Sequence, residues 1–143
     1  MELPDNFNSI KGFIDDEEGE CLYRTALKSA ERGPIMEIGS YCGKSTVYLG
    51  IAAKKLNSCV YSVDHHTGSE ENQVGWEYHD KDLYDEETGR INSFPEFIKN
   101  IRKAELLDTI VPIVSDSSLV SKFWTIPLSM IFIDGGHTME AAL

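Results

Sequence analysis

The segment Glu37-Ile38-Gly39-Ser40-Tyr41-Cys42-Gly43-Lys44-Ser45-Thr46 combines two glycines, a carboxylate and several hydroxyl side chains in ten residues. Between a strand and a helix, such a segment suits ligand binding. Gly39 permits a tight turn and close approach of a ligand, and the N–H groups that open the next helix hold an anionic group such as a carboxylate. Two phosphate-binding patterns compete for it. A Walker loop needs four residues before its Gly-Lys-Ser/Thr, and only Ser40, Tyr41 and Cys42 separate Gly39 from Gly43. The dinucleotide fingerprint wants a glycine where Tyr41 stands. Glu37, Asp64, Asp116 and Asp134 all fall at or near expected strand ends. Four carboxylates on one rim disfavour a polyphosphate without metal and favour a ligand that carries positive charge.

The elements that position these residues follow from hydrophobic spacing. Leu22, Tyr23, Ala26, Leu27 and Ala30 recur at helical intervals over 15–32, after an acidic first turn and before Gly33, which predicts an amphipathic helix. The apolar run 34–38 leaves no room for a helix and reads as a buried strand. A helix over 44–56 and a strand over 60–63 ending at Asp64 come next. Residues 65–92 show no clear period and are dense in charge, His and aromatics, so they read as a long functional loop or lid. Ser93-Phe94-Pro95-Glu96 has the form of a capping box with Pro in the first turn and starts a further helix. Strands over 110–114 and 128–133 end near Asp116 and at Asp134, and Gly135-Gly136-His137-Thr138 opens another helix. Alternating strands and helices imply right-handed crossovers, hence a parallel α/β sheet with helices on both faces, whose ligands bind beyond the carboxyl ends of the strands. Pro112 belongs on an edge strand, because it cannot donate to a ladder.

S-adenosylmethionine meets the chemistry of the glycine segment better than a nucleotide does. Its sulfonium and ammonium tolerate acidic neighbours, its carboxylate suits the helix start, and its ribose offers two hydroxyls to Asp64. The sequence also resembles the class I methyltransferases, in the branch of small-molecule O-methyltransferases. The likeness lies in the loop from Glu37 to Ser45, in Val63-Asp64-His65-His66, in the stretch from Gly68 through Trp76, Tyr78 and His79 to Asp80, and in Phe132-Ile133-Asp134-Gly135-Gly136-His137. It extends from about Ile35 to the last residue.

That resemblance implies a Rossmann-like, three-layer α/β/α sheet whose further strands lie beyond Leu143. Gly39 and Gly43 would line the methionine end of S-adenosylmethionine, Glu37 would sit near its ammonium, Asp64 would take the ribose hydroxyls, Asp116 with Ser117 would reach the adenine, and Ser40, Ser45 and His65 would also belong to the cofactor site. Asp134 and His137 would be the catalytic residues, with Asp134 also in the place of a ligand for a divalent metal such as Mg. His65, His66 and His79 would face the acceptor pocket. Plainer roles compete: Asp64 as a strand-end cap, Asp116 as the cap of the next helix, Asp134 as turn chemistry. Two other functions stay open. A P-loop-like nucleotide-binding protein would need magnesium and Lys44, and a noncatalytic module would bind the cofactor without turnover.

Composition narrows the setting. With 143 residues and 41% hydrophobic content the chain is long enough for one domain, 1–143, with its own core. A formal charge of -11 argues against nucleic acid as a partner, and the longest apolar runs are far too short for a membrane span. Cys21, Cys42 and Cys59 make no disulfide framework and the first residues have no secretory pattern, so a cytoplasmic protein acting on a small-molecule substrate is expected. A parallel sheet with an uncovered edge invites a partner, for which a homo-oligomer is the simplest form.

Overall fold

The computed structural model of the chain describes residues 1–68, 83–87 and 89–134. Asp15 sets the first helix, α1 (Asp16–Ser29): its carboxylate accepts the Glu18 N–H at 2.8 Å while the Glu18 side chain accepts the Asp15 N–H at 3.4 Å. This reciprocal cap lies inside the acidic first turn, and the apolar stripe Leu22, Tyr23 and Ala26 is buried as its spacing requires. β1 (Ile35–Ile38), α2 (Lys44–Lys55) and β2 (Val60–Val63) follow. After β2 the described part of the chain continues in a short antiparallel pair, β3 (Tyr84–Asp85) with β4 (Arg90–Ile91), and then in α3 (Phe94–Lys103), β5 (Ile110–Ile113), α4 (Ser117–Phe123) and β6 (Met130–Ile133).

The four longer strands form one parallel sheet in the order β5-β2-β1-β6, flanked by helices. Alternation puts Ile35, Val60 and Ile110 on one face, where they join Val47, Leu49, Phe97 and Ile101 in the core with α1, α2 and α3. Tyr61 points to the other face, where Trp124, just past α4, packs edge-on at 4.8 Å between ring centroids. Pro112 sits opposite Ser62 in β5, an edge strand of the described sheet, as its missing N–H requires.

Two local expectations change. The end of the 65–92 stretch carries the β3–β4 pair, with Leu83 and Ile91 buried in the core; two-residue strands are too short to show a period in sequence. The Ser93 capping box does not form. The Ser93 hydroxyl lies 2.7 Å from His66 Nδ1, and the Phe94 N–H at the helix start turns to the Asn92 side chain at 3.2 Å. The helix expected from Gly135 onward lies outside the described residues.

Candidate functional site

The strand ends bring the site together because their ladders run one residue past the strands. The Gly39 N–H donates to the Val63 carbonyl at 2.8 Å, the Asp134 N–H to Ile38 at 2.7 Å and the Asp64 N–H to Ile113 at 3.0 Å. Gly39, Asp64 and Asp134 therefore leave neighbouring strands at the same carboxyl end of the sheet, where a parallel sheet places its ligands.

The loop from β1 to α2 has a backbone that few residues adopt. Gly39 and Gly43 have φ of 91° and 96°, and Tyr41 between them has φ of 49°. Asp64 holds this loop from the next strand: its Oδ2 accepts the Tyr41 N–H at 2.7 Å and its Oδ1 accepts the His66 N–H at 2.9 Å. A carboxylate has about four acceptor positions, so two amides orient Asp64 and leave lone pairs for a ligand's hydroxyls.

Around this loop lies a cleft, open to solvent at its mouth, with a cavity volume of about 150 Å³. Of the residues singled out by sequence, Gly39, Ser40, Ser45, Asp64, His65, Ser117 and Asp134 line it. Ser40 Oγ is buried there and has no hydrogen-bond partner among the described residues, a cost that a bound polar ligand would relieve.

Three others take different places. Glu37 is fully buried beneath the loop, where its carboxylate accepts hydrogen bonds from the hydroxyls of Ser45, Thr46 and Ser62. Burial pushes its carboxyl up to about 7 against the pull of those three donors, and the negative charge of Asp134 adds to the rise. Gly43 faces α3, where a Cβ would lie 3.2 Å from a Phe97 ring carbon. Asp116 caps α4: its Oδ1 accepts from the Ser118 hydroxyl at 2.7 Å and the Ser118 N–H at 2.9 Å, and these bonds hold its carboxyl below the usual range. His137, Trp76, Tyr78 and His79 lie outside the described residues. His66 is buried against α3, with Phe94 and Phe97 against its ring.

Sequence reasoning missed one wall of the cleft. Lys11, Gly12, Phe13 and Ile14 line it from the N-terminal side, and the Phe13 ring lies 6.3 Å from that of Tyr41, stacked at 24°. No periodicity or motif marks that segment, and only the three-dimensional packing brings it there. Among the described residues no group of three or more His, Cys, Asp or Glu side chains could hold a metal ion, so the described donors around Asp134 do not make a divalent-metal site. No helix among the described residues is long and apolar enough to cross a membrane.

A parallel sheet with a glycine loop after β1 and a carboxylate after β2, both on one cleft, defines a Rossmann-like α/β domain. Residues 36–143 match the family model described as a methyltransferase domain, and the chain belongs to that family. Solved structures agree on the fold. An O-methyltransferase from Bacillus cereus in complex with SAH superposes with a TM-score of 0.58 at 17% identity, covering 89% of this chain and 48% of that one. The O-methyltransferase TomG from Streptomyces achromogenes, involved in tomaymycin synthesis and solved with SAM, gives 0.56 at 13% identity, with 83% and 44% covered. An SAH-bound methyltransferase from Podospora anserina gives 0.59 at 13%, with 83% and 40% covered. The chain thus spans about half the length, or less, of the structures it resembles.

Proposed function

We propose that residues 1–143 form a cofactor-binding domain that holds S-adenosylmethionine in this cleft for methyl transfer to an oxygen of a small-molecule acceptor. The observation that carries the reading is the Asp64 carboxylate, fixed by the Tyr41 and His66 amides and facing the same cleft as the glycine loop. In this reading Asp64 takes the ribose hydroxyls, with His65 beside it. Ser40, Gly39 and Ser45 form the cradle of the methionine end, with Gly43 turning the loop against α3, and the buried Ser40 hydroxyl supplies a hydrogen bond that the described protein leaves unmade. Ser117 stands toward the adenine, while Asp116 serves by keeping α4 in place. Glu37 acts on the ammonium end through Ser45 and Thr46, whose hydroxyls it binds, without lining the cleft.

Bound S-adenosylmethionine supplies a methyl group on an already activated sulfonium, so the protein's task is alignment and exclusion of water. In this reading Asp134, on the cleft at the end of β6, orients the acceptor or holds its proton, and His137, three residues on in sequence, is the candidate base. A divalent metal at Asp134 would need ligands besides those described, and no step here runs through one. The family and the acidic cleft favour this reading over a P-loop-like nucleotide site. In this reading the protein works in the reducing cytoplasm, where Cys21, Cys42 and Cys59, which make no disulfide framework in the sequence, stay thiols.

Isothermal calorimetry with S-adenosylhomocysteine, S-adenosylmethionine and ATP tests the reading. The two sulfur nucleosides should bind and ATP should not, and Asp64→Ala should weaken the nucleosides by at least about tenfold, the loss expected for charge-assisted hydrogen bonds. Binding of ATP alone would overturn it.

A further inference from the structure

His66 lies two residues past Asp64 in the left-handed region at φ 62°, which a residue with a Cβ adopts only when its surroundings hold it there. Three groups hold it. Its N–H donates to Asp64 Oδ1 at 2.9 Å, its carbonyl accepts the Ser93 N–H at 2.9 Å, and its Nδ1 shares a hydrogen bond with the Ser93 hydroxyl at 2.7 Å. His66 is 2% exposed and its ring packs against both Phe94 and Phe97 of α3, with centroids at 5.3 and 5.1 Å. Its Nε2 is buried with no partner among the described residues.

The same helix grips the glycine loop from the other side. The Asn100 side chain donates to the Cys42 carbonyl at 2.9 Å, and Phe97 and Ile101 abut Gly43. α3 thus touches both chains that meet at the Asp64 carboxylate.

We propose that His66 is a positioning residue: through Ser93 it transmits the fixed position of α3 to the Asp64 carboxylate, and affinity for the ribose of the ligand depends on that latch. This rests on the cofactor reading above. The latch also has a pH dependence. Burial pushes the His66 imidazole below its ordinary range, and neighbouring His65 acts in the same direction, while Asp64 pulls the other way. The groups in contact with the ring, Ser93 just before α3 and Phe94 and Phe97 within it, carry no charge. Protonation puts a charge into this apolar seat, so acid opens the latch.

The test measures two things on the full chain: amide exchange by NMR and S-adenosylhomocysteine affinity as a function of pH. In Ser93→Ala, the Tyr41 and His66 amides should exchange about fivefold faster and the ligand should bind about fivefold more weakly, the share of one ordinary hydrogen bond. The Leu22 and Ala26 amides of α1 should be unchanged, which separates a local latch from loss of fold. In the unaltered chain affinity should drop as pH falls below about 6.5, the ordinary histidine value. That drop should vanish in His66→Asn, since Asn tolerates the left-handed backbone and does not titrate. Unchanged Tyr41 and His66 exchange in Ser93→Ala, or an acid drop kept in His66→Asn, would overturn the proposal. Faster exchange in a chain that binds no S-adenosylhomocysteine at any pH would support the latch and sink the cofactor reading alone.

Discussion

Glu37 decides how the centre of the site responds to pH. Its carboxylate has no exposure and three hydroxyl donors, yet burial outweighs them and lifts its value from 4.5 to about 7. The folded state therefore binds this proton more tightly than the unfolded chain does. Below pH 4.5 the group costs nothing; through the window up to about 7 stability falls as pH rises, and above it the full cost remains, roughly 3 kcal/mol. Glu37→Gln keeps the size and an acceptor for the hydroxyls but has nothing to ionise. Urea unfolding at about pH 5 and about pH 8 should show the unaltered chain losing stability between the two and the Gln variant losing much less. An equal loss in both would place the titration elsewhere. The carboxylate itself was legible as a strand-end acid; its isolation from the cleft was not. Nothing in a linear pattern tells that Ser45, Thr46 and Ser62 converge on one side chain from two other elements.

Among elements, the crossing of α1 and α2 hangs on Gly19. A Cβ there would stand 2.1 Å from Tyr48 Cζ, and Tyr48 is buried and fixed edge-on against Phe7 at 5.1 Å. Ala improves helix propensity by about 1 kcal/mol, but overpacking a fixed ring costs about 1–3 kcal/mol. Gly19→Ala should therefore destabilise by up to about 2 kcal/mol net and lower the melting temperature by up to several degrees; a higher melting temperature would mean that α1 does not pack on Tyr48 as described. Short apolar runs between helical patterns made β1, β2, β5 and β6 readable, and Pro112 marked the edge, since burial and a missing N–H leave local traces. What depends on distant partners stayed hidden. The Ser93 hydroxyl fits a capping box by local spacing but is drawn to His66, 27 residues earlier, and the wall formed by Lys11 to Ile14 has no local signature at all.

At the scale of the whole molecule, the cleft is where separate strands are joined with little else between them. Gly39, Asp64 and Asp134 come from β1, β2 and β6, while on the face away from α1 and α2 large apolar groups stay in water, Ile131 54% and Ile133 44% exposed. A ligand spanning those strand ends adds its own contacts to the folded state and none to the unfolded one. At a concentration 100 times its dissociation constant, a ligand that binds only the folded chain stabilises it by about 2.7 kcal/mol, which in a domain of this size raises the melting temperature by roughly 5–10 °C. S-adenosylhomocysteine should give that shift, with or without magnesium. ATP with magnesium should give none, because its complex keeps a net negative charge that Asp64 and Asp134 on the cleft and a charge of -11 on the chain oppose. Asp64→Ala should abolish most of the S-adenosylhomocysteine shift while the unliganded melting temperature moves far less, since Asp64 is only partly buried. A magnesium-dependent shift with ATP and none with S-adenosylhomocysteine would return the glycine loop to phosphate binding and make Lys44, also on the cleft wall, its central residue.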